Sequence, residues 1–116
     1  MAYDDAGELN RRITFQRFTG EADLVGDFQY LEDDNWADVF AVWGSCRSIS
    51  SREFMTAGVE QMEVTHNLKV RRREWPEDVR TLRATILGKR YRLLSPPIDA
   101  GTDRRFQLIK AAEVWP

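Results

Sequence analysis

The sequence predicts a mainly β protein: a small single-domain β-barrel with one short helix or one long loop. Three observations predict it. The chain has 116 residues, close to the commonest domain size. At least five stretches rich in β-branched and aromatic residues are separated by short turns. A helical signal occurs in one place, which leaves no second layer of helices to cover an open sheet and favours closure into a barrel.

The elements follow in order. Residues 1–8 are polar and acidic, unlike a secretory leader, and read as a flexible N-terminal arm. ITFQRF, Ile13–Phe18, alternates as a strand. Gly20–Asn35 carries Gly26 and a run of acids, too polar for a buried element, and is a long loop or loose hairpin. WADVFAVWGSCRSI, Trp36–Ile49, is strand-like, with Ala37, Val39, Ala41 and Trp43 on one face and Asp38, Phe40, Val42 and Gly44 on the other. The period then changes. Ser50-Ser51-Arg52-Glu53 has the capping-box form, a hydroxyl for an exposed backbone N–H and an acid three residues on. Gly58 is suited to ending a helix in a left-handed turn, so a short helix over Ser51–Ala57 is expected.

Strands resume at Glu63–Arg73, Arg80–Leu87, Arg90–Ser95 and Arg104–Ala111, with Gly88-Lys89 as a hairpin turn and Pro76 and Pro96-Pro97 as stops. The alternation assigns Ile13, Phe15, Val39, Ala41, Trp43, Leu68, Val70, Leu82, Ile86, Tyr91, Leu93, Phe106 and Leu108 to one barrel interior.

Charge is unevenly placed. The net charge is -2, which gives no sign of a nucleic-acid binder. Yet residues 1–38 hold ten acids against three arginines, while residues 66–110 hold twelve basic residues against five acids. The two halves either neutralise one another within the monomer or bring copies and neighbours together head to side. Arg71, Arg72, Arg73 and Arg90 from the basic half, with Asp33 and Asp34 from the acidic half, are the candidate subunit-interface residues.

Single-strand nucleic-acid barrels pair basic residues with a platform of exposed aromatics. Here Phe15, Trp36, Trp43, Tyr91 and Phe106 are scattered as core candidates, so an oligonucleotide-binding barrel is the weaker reading of the arginine run. No apolar stretch approaches the roughly 18–20 residues of a membrane span.

Catalytic signals are sparse. One cysteine, Cys46, and one histidine, His66, exclude an intrachain disulfide and a multi-cysteine zinc site. Cys46 lies between Ser45 and Arg47 in an ordinary strand, without the local context that lowers a thiol pKa. His66 shares a face with Val64, Leu68 and Val70 and reads as a hydrogen-bonded structural histidine. No phosphate-binding, dinucleotide, zinc-protease or nucleophile-elbow motif is present. The expectation is a protein without enzymatic activity or cofactor.

An ordered set of short patterns runs along the chain: Gly7-x-Leu9-x-x-Arg12-Ile13-Thr14-Phe15-Gln16, Trp36-x-x-Val39, Val42-Trp43-Gly44, and Ser51-Arg52-Glu53 with Gln61 eight residues on. Thr65-His66-x-Leu68-x-Val70-Arg71, Arg80-x-Leu82 and Gly88-Lys89-Arg90-Tyr91-Arg92-Leu93-Leu94 complete it. This set resembles the phage head–tail joining proteins, also called head-closure or stopper proteins. The family often has alanine where Gly44 stands and a shorter acidic turn in place of Gly20–Asn35.

The resemblance implies a structural virion protein of the phage neck, assembled in the host cytoplasm. It implies a homo-oligomeric ring, hexamer or dodecamer, with portal and adaptor above and the tail or tail-terminator below. Genomic DNA would pass through the ring without sequence-specific binding. It further implies that residues 48–61 face the channel and close it, with Ser50, Ser51, Arg52, Glu53, Phe54, Met55, Gly58 and Gln61 as gating residues. The acidic 20–35 loop is the other candidate plug. A lumen lined with arginine would hold phosphates, which places Arg71–Arg73 on contacts between subunits or rings. A neck adaptor or tail-terminator ring protein is the alternative within the same class.

Overall fold

The structure is a computed structural model, and it describes residues 9–20, 30, 32–48 and 64–114. Seven strands make up one antiparallel sheet: β1 (Arg11–Phe18), β2 (Trp36–Ser48), β3 (His66–Arg71), β4 (Leu82–Ile86), β5 (Lys89–Leu93), β6 (Ile98–Ala100) and β7 (Asp103–Val114). They are ordered β3-β2-β1-β4-β5-β7-β6, and β3 also pairs with β7. That last pairing closes six strands into a barrel and leaves β6 outside.

The 3-10 turn Val79–Thr81 leads into β4, and Asp78 caps it by accepting from the Arg80 N–H. The β4–β5 hairpin turns on Leu87 and Gly88, both at positive φ. Among the described residues no helix is long and apolar enough to cross a membrane. The expected helix Ser51–Ala57 lies outside the described residues.

The interior is built from alternate positions. Ile13, Phe15, Leu68, Val70, Leu82, Ile86, Tyr91 and Leu93 are all buried in one cluster, as the alternation predicts, and Ala84, Ile109 and Ala111 join them. At one end of the barrel Trp75 seals the core. It packs edge-on against Phe15 at 5.2 Å and against Phe40 at 5.4 Å, and its indole N–H donates to Gln107 Oε1.

Four of the predicted interior positions belong elsewhere: Ala41 and Trp43, which share the outward face of β2, and Phe106 and Leu108 of β7. Trp43 is 56% exposed. Its displacement comes from a bulge: Phe15 pairs with Phe40, but Gln16 pairs with Asp38, so Val39 is an extra residue in β2. Val39 and Phe40 both pack against the core, and the phase that follows sends Val42 and Cys46 inward. Trp43 then pairs with Arg12 on the outer face, where the guanidinium lies 5.4 Å from its ring.

Phe106 and Leu108 are the other two. They stand opposite Arg71 and Lys69 in the β3–β7 ladder, one position out of phase with the interior pair Leu68 and Ile109. Leu108 faces Ile98 of β6 on the outside of the barrel. Phe106 is buried there against Lys69, Arg71 and Arg105.

Candidate functional site

Ser48, the last residue of β2, pairs with His66, the first of β3. The seventeen residues 49–65 therefore leave and re-enter the barrel at one point of one rim. Hairpin connections normally take 2–5 residues, and long ones are usually functional. The predicted gating residues Ser50, Ser51, Arg52, Glu53, Phe54, Met55, Gly58 and Gln61 all fall in this connection and lie outside the described residues. Most of the alternative 20–35 plug lies outside them as well.

At this rim Arg11, Cys46, Ser48, His66, Lys89 and Tyr91, together with the aliphatic Ile86 and Leu87, line a recess of about 210 Å³. Ser48 Oγ lies 3.3 Å from His66 Nε2, and Thr65 Oγ1 lies 2.8 Å from His66 Nδ1. The Thr65 hydroxyl also accepts from the Glu113 backbone N–H. The Tyr91 ring meets the imidazole edge-on at 5.2 Å. His66 thus ties the start of β3 to β2, β5 and β7, which agrees with a structural histidine.

Burial, assisted by Lys89, lowers the His66 pKa and favours the neutral ring. Burial raises the Cys46 pKa, and its hydrogen-bond partner is Tyr91. These shifts oppose the thiolate–imidazolium pair that nucleophilic chemistry needs. Among the described residues no three His, Cys, Asp or Glu side chains gather as a metal site.

Five of the six charged candidates, Asp33, Arg71, Arg72, Arg73 and Arg90, have contacts within the chain. Asp33, in the 3-10 turn Asp33–Asn35, receives Arg90 Nε at 3.0 Å and Nη2 at 2.5 Å. It also receives Arg83 Nη2 at 2.8 Å. Hydrogen bonds from Arg90 and then Arg83 hold its carboxyl at about 2. For this acid and these two arginines, the opposite charges of the two chain halves meet inside the monomer. Asp34 is exposed on the same turn.

The Arg71–Arg73 run divides three ways. Arg71 sits beside Phe106. Arg72 pairs with Asp99 and donates from Nε to the Arg104 carbonyl at 2.6 Å. Arg73 stacks on Phe40, 3.6 Å from its ring centre, and donates to the Glu74 carbonyl. The three do not form a single patch, since alternate strand positions and the turn after β3 direct them to different faces.

Arg83 escaped the sequence reading. Its side chain is 2% exposed on the outer face of β4, beneath the chain that leads into β2. It donates to Gln16 Oε1 at 2.7 Å, to the Tyr30 carbonyl and to Asp33, and its guanidinium lies 4.9 Å from the Trp36 ring. The one signal available was its place between Leu82 and Ala84, where an alternating strand puts an exposed charge. What buries it is a segment more than forty residues upstream.

Two comparisons bear on this barrel. Protein SF1141 from Shigella flexneri 2a, known from a solution structure, is similar to it with a TM-score of 0.67 and 25% sequence identity, over 94% of this chain and 96% of that one. No curated protein matches the sequence. The phage head completion protein family matches residues 4–114, nearly the whole chain and every strand of the barrel. With the closed barrel and the long connection at its rim, the chain belongs to the phage head completion proteins, a family with a structural role at the head–tail junction of the virion.

Proposed function

We propose that this protein forms a ring in the phage neck between the portal or its adaptor and the tail. There it closes the DNA channel after packaging and offers the surface on which the tail docks. The observation that carries the reading is the family match over residues 4–114. The rim supports it, because a seventeen-residue connection springs from adjacent ends of two antiparallel strands. In a ring of copies, such connections are placed to meet at the axis. Phe54 and Met55 are the residues within it suited to pack together and exclude DNA.

The experiment is DNA retention in heads completed with this protein but lacking tails. Phe54→Asp with Met55→Asp should yield heads that carry the protein and lose their DNA. Full retention would remove channel closure by this connection, and the acidic 20–35 segment would take its place. Electron microscopy of isolated necks tests the ring itself. Salt-sensitive binding of a single-stranded oligonucleotide by the purified protein would favour the oligonucleotide-binding reading instead.

A further inference from the structure

Two strands of this sheet, β2 of the barrel and the outer β6, have an edge that no described residue pairs with. β2 pairs with β1 along Trp36–Gly44, but with β3 only along Gly44–Ser48. The segment Ala37–Trp43 is thus paired on one side among the described residues. The divergence has a local cause. At Gly44 an added Cβ would lie 2.6 Å from the Lys69 carbonyl oxygen, so the two backbones touch closely there. Just beyond it, the chain after β3 turns into the end of the barrel to place Trp75 on Phe15 and Phe40. β3 is committed to that plug and does not continue along β2. The second edge is β6, the terminal strand of the sheet order, paired only with β7.

Unpaired strand edges are normally blunted by charge, proline or cover, because they recruit other strands. Charge and proline are present here too, Asp38 on β2 and Pro96-Pro97 with Asp99 at β6, yet each edge also carries an exposed hydrophobic residue, Trp43 at 56% on β2 and Ile98 at 43% on β6. Their surroundings differ in sign. Asp34 and Asp38 are exposed at the start of β2, whereas Arg104 and Arg105 are exposed beside β6. The β2 edge is therefore acidic at its start, with Arg12 beside Trp43 further along, and the β6 edge has basic neighbours around Asp99, which Arg72 engages. A contact between two different patches of one subunit repeats head to tail, and it closes into a ring when the rotation allows.

We propose that the β6 edge of one copy of this chain adds to the Ala37–Trp43 edge of the next, carrying the sheet across the subunit boundary. The inference rests on the ring reading above and identifies the surfaces that make the ring. Trp43 and Ile98 lie at the join, and the acidic and basic surroundings orient it.

The test uses the full chain in assembled necks. Ala41→Cys and Ala100→Cys are combined in a Cys46→Ser background and treated with a short bismaleimide. Covalent multimers should form with both cysteines present and be absent with either one. Necks that show a ring yet yield no multimers would overturn this interface and leave the ring reading standing. Necks with no ring of this protein would overturn both. Ile98→Lys gives the second measurement. It should melt like the parent protein yet reduce tail-completed particles at least about tenfold, since a charge on an edge opposes strand addition. Normal particle yield would overturn the proposal.

Discussion

Asp33 holds two arginines of the opposite chain half at once: its Oδ1 receives Arg83 and its Oδ2 receives Arg90. One carboxylate thereby fastens the segment leading into β2 to the outer faces of β4 and β5. Arg83 is buried and Arg90 half-buried, while Asp33 itself remains 56% exposed. Solvent reaches the acid, and much of its Coulombic attraction is screened. Its value lies in giving the buried guanidinium a charged acceptor.

Stability should depend on pH through this residue. The Asp33 pKa is depressed from 3.8 to about 2, so the folded state favours the ionised form. Its contribution is fully present above the unfolded value and is lost as pH falls through the window from 3.8 toward 2. Denaturation followed across that window should show wild type losing stability relative to Asp33→Asn. Parallel curves for the two proteins would show that the pair does not couple protonation to folding.

Arg83→Ala should destabilise the fold by about 2–5 kcal/mol, the range for emptying a large buried side chain. Arg83→Met should cost less. It fills most of the space, and Asp33 keeps Arg90 and water as partners, so no buried anion is stranded. Equal losses in urea melts would mean that the hydrogen bonds to Gln16 and Tyr30, rather than the volume, dominate.

Trp43→Ala should leave the melting curve within about 0.5 kcal/mol of wild type, as for most surface substitutions. Phe15→Ala should cost roughly 3–5 kcal/mol, because a fully buried ring is replaced by a cavity. A large loss at Trp43 in the isolated monomer would contradict the bulge at Val39 and the outward phase that follows it.

Gly44→Ala should destabilise by about 1–3 kcal/mol, the usual cost of overpacking. The added Cβ would meet the Lys69 carbonyl at 2.6 Å and Ile13 Cδ1 at 2.7 Å. The Ile13 side chain can move, whereas the β3 backbone is held by β2 and β7 on either side. A neutral effect in equilibrium unfolding would show that β3 yields at this point.

The barrel was legible in the sequence because alternation survives wherever strands are regular. Ile13 with Phe15, Leu68 with Val70, and Tyr91 with Leu93 each advertise an interior face two residues apart, and all six are buried. The same alternation put His66 on a face with Val64, Leu68 and Val70 and so read it as a hydrogen-bonded structural histidine, which its contacts with Ser48 and Thr65 match. Tertiary structure decided what period alone does not encode. One unpaired residue at Val39 reverses the face of everything after it in β2, because a strand side chain has just two directions to choose from. β6, at three residues between a proline pair and a turn, is too short to show a pattern and exists because β7 offers it a ladder. Whether an arginine is a solvated charge or a buried clamp depends on what crosses above it. Arg83 and Arg92 occupy outward positions on paired strands, opposite one another, yet Arg83 is buried and Arg92 exposed. The difference lies in Tyr30, Asp33 and Trp36, which chain folding brings over Arg83 from fifty residues away.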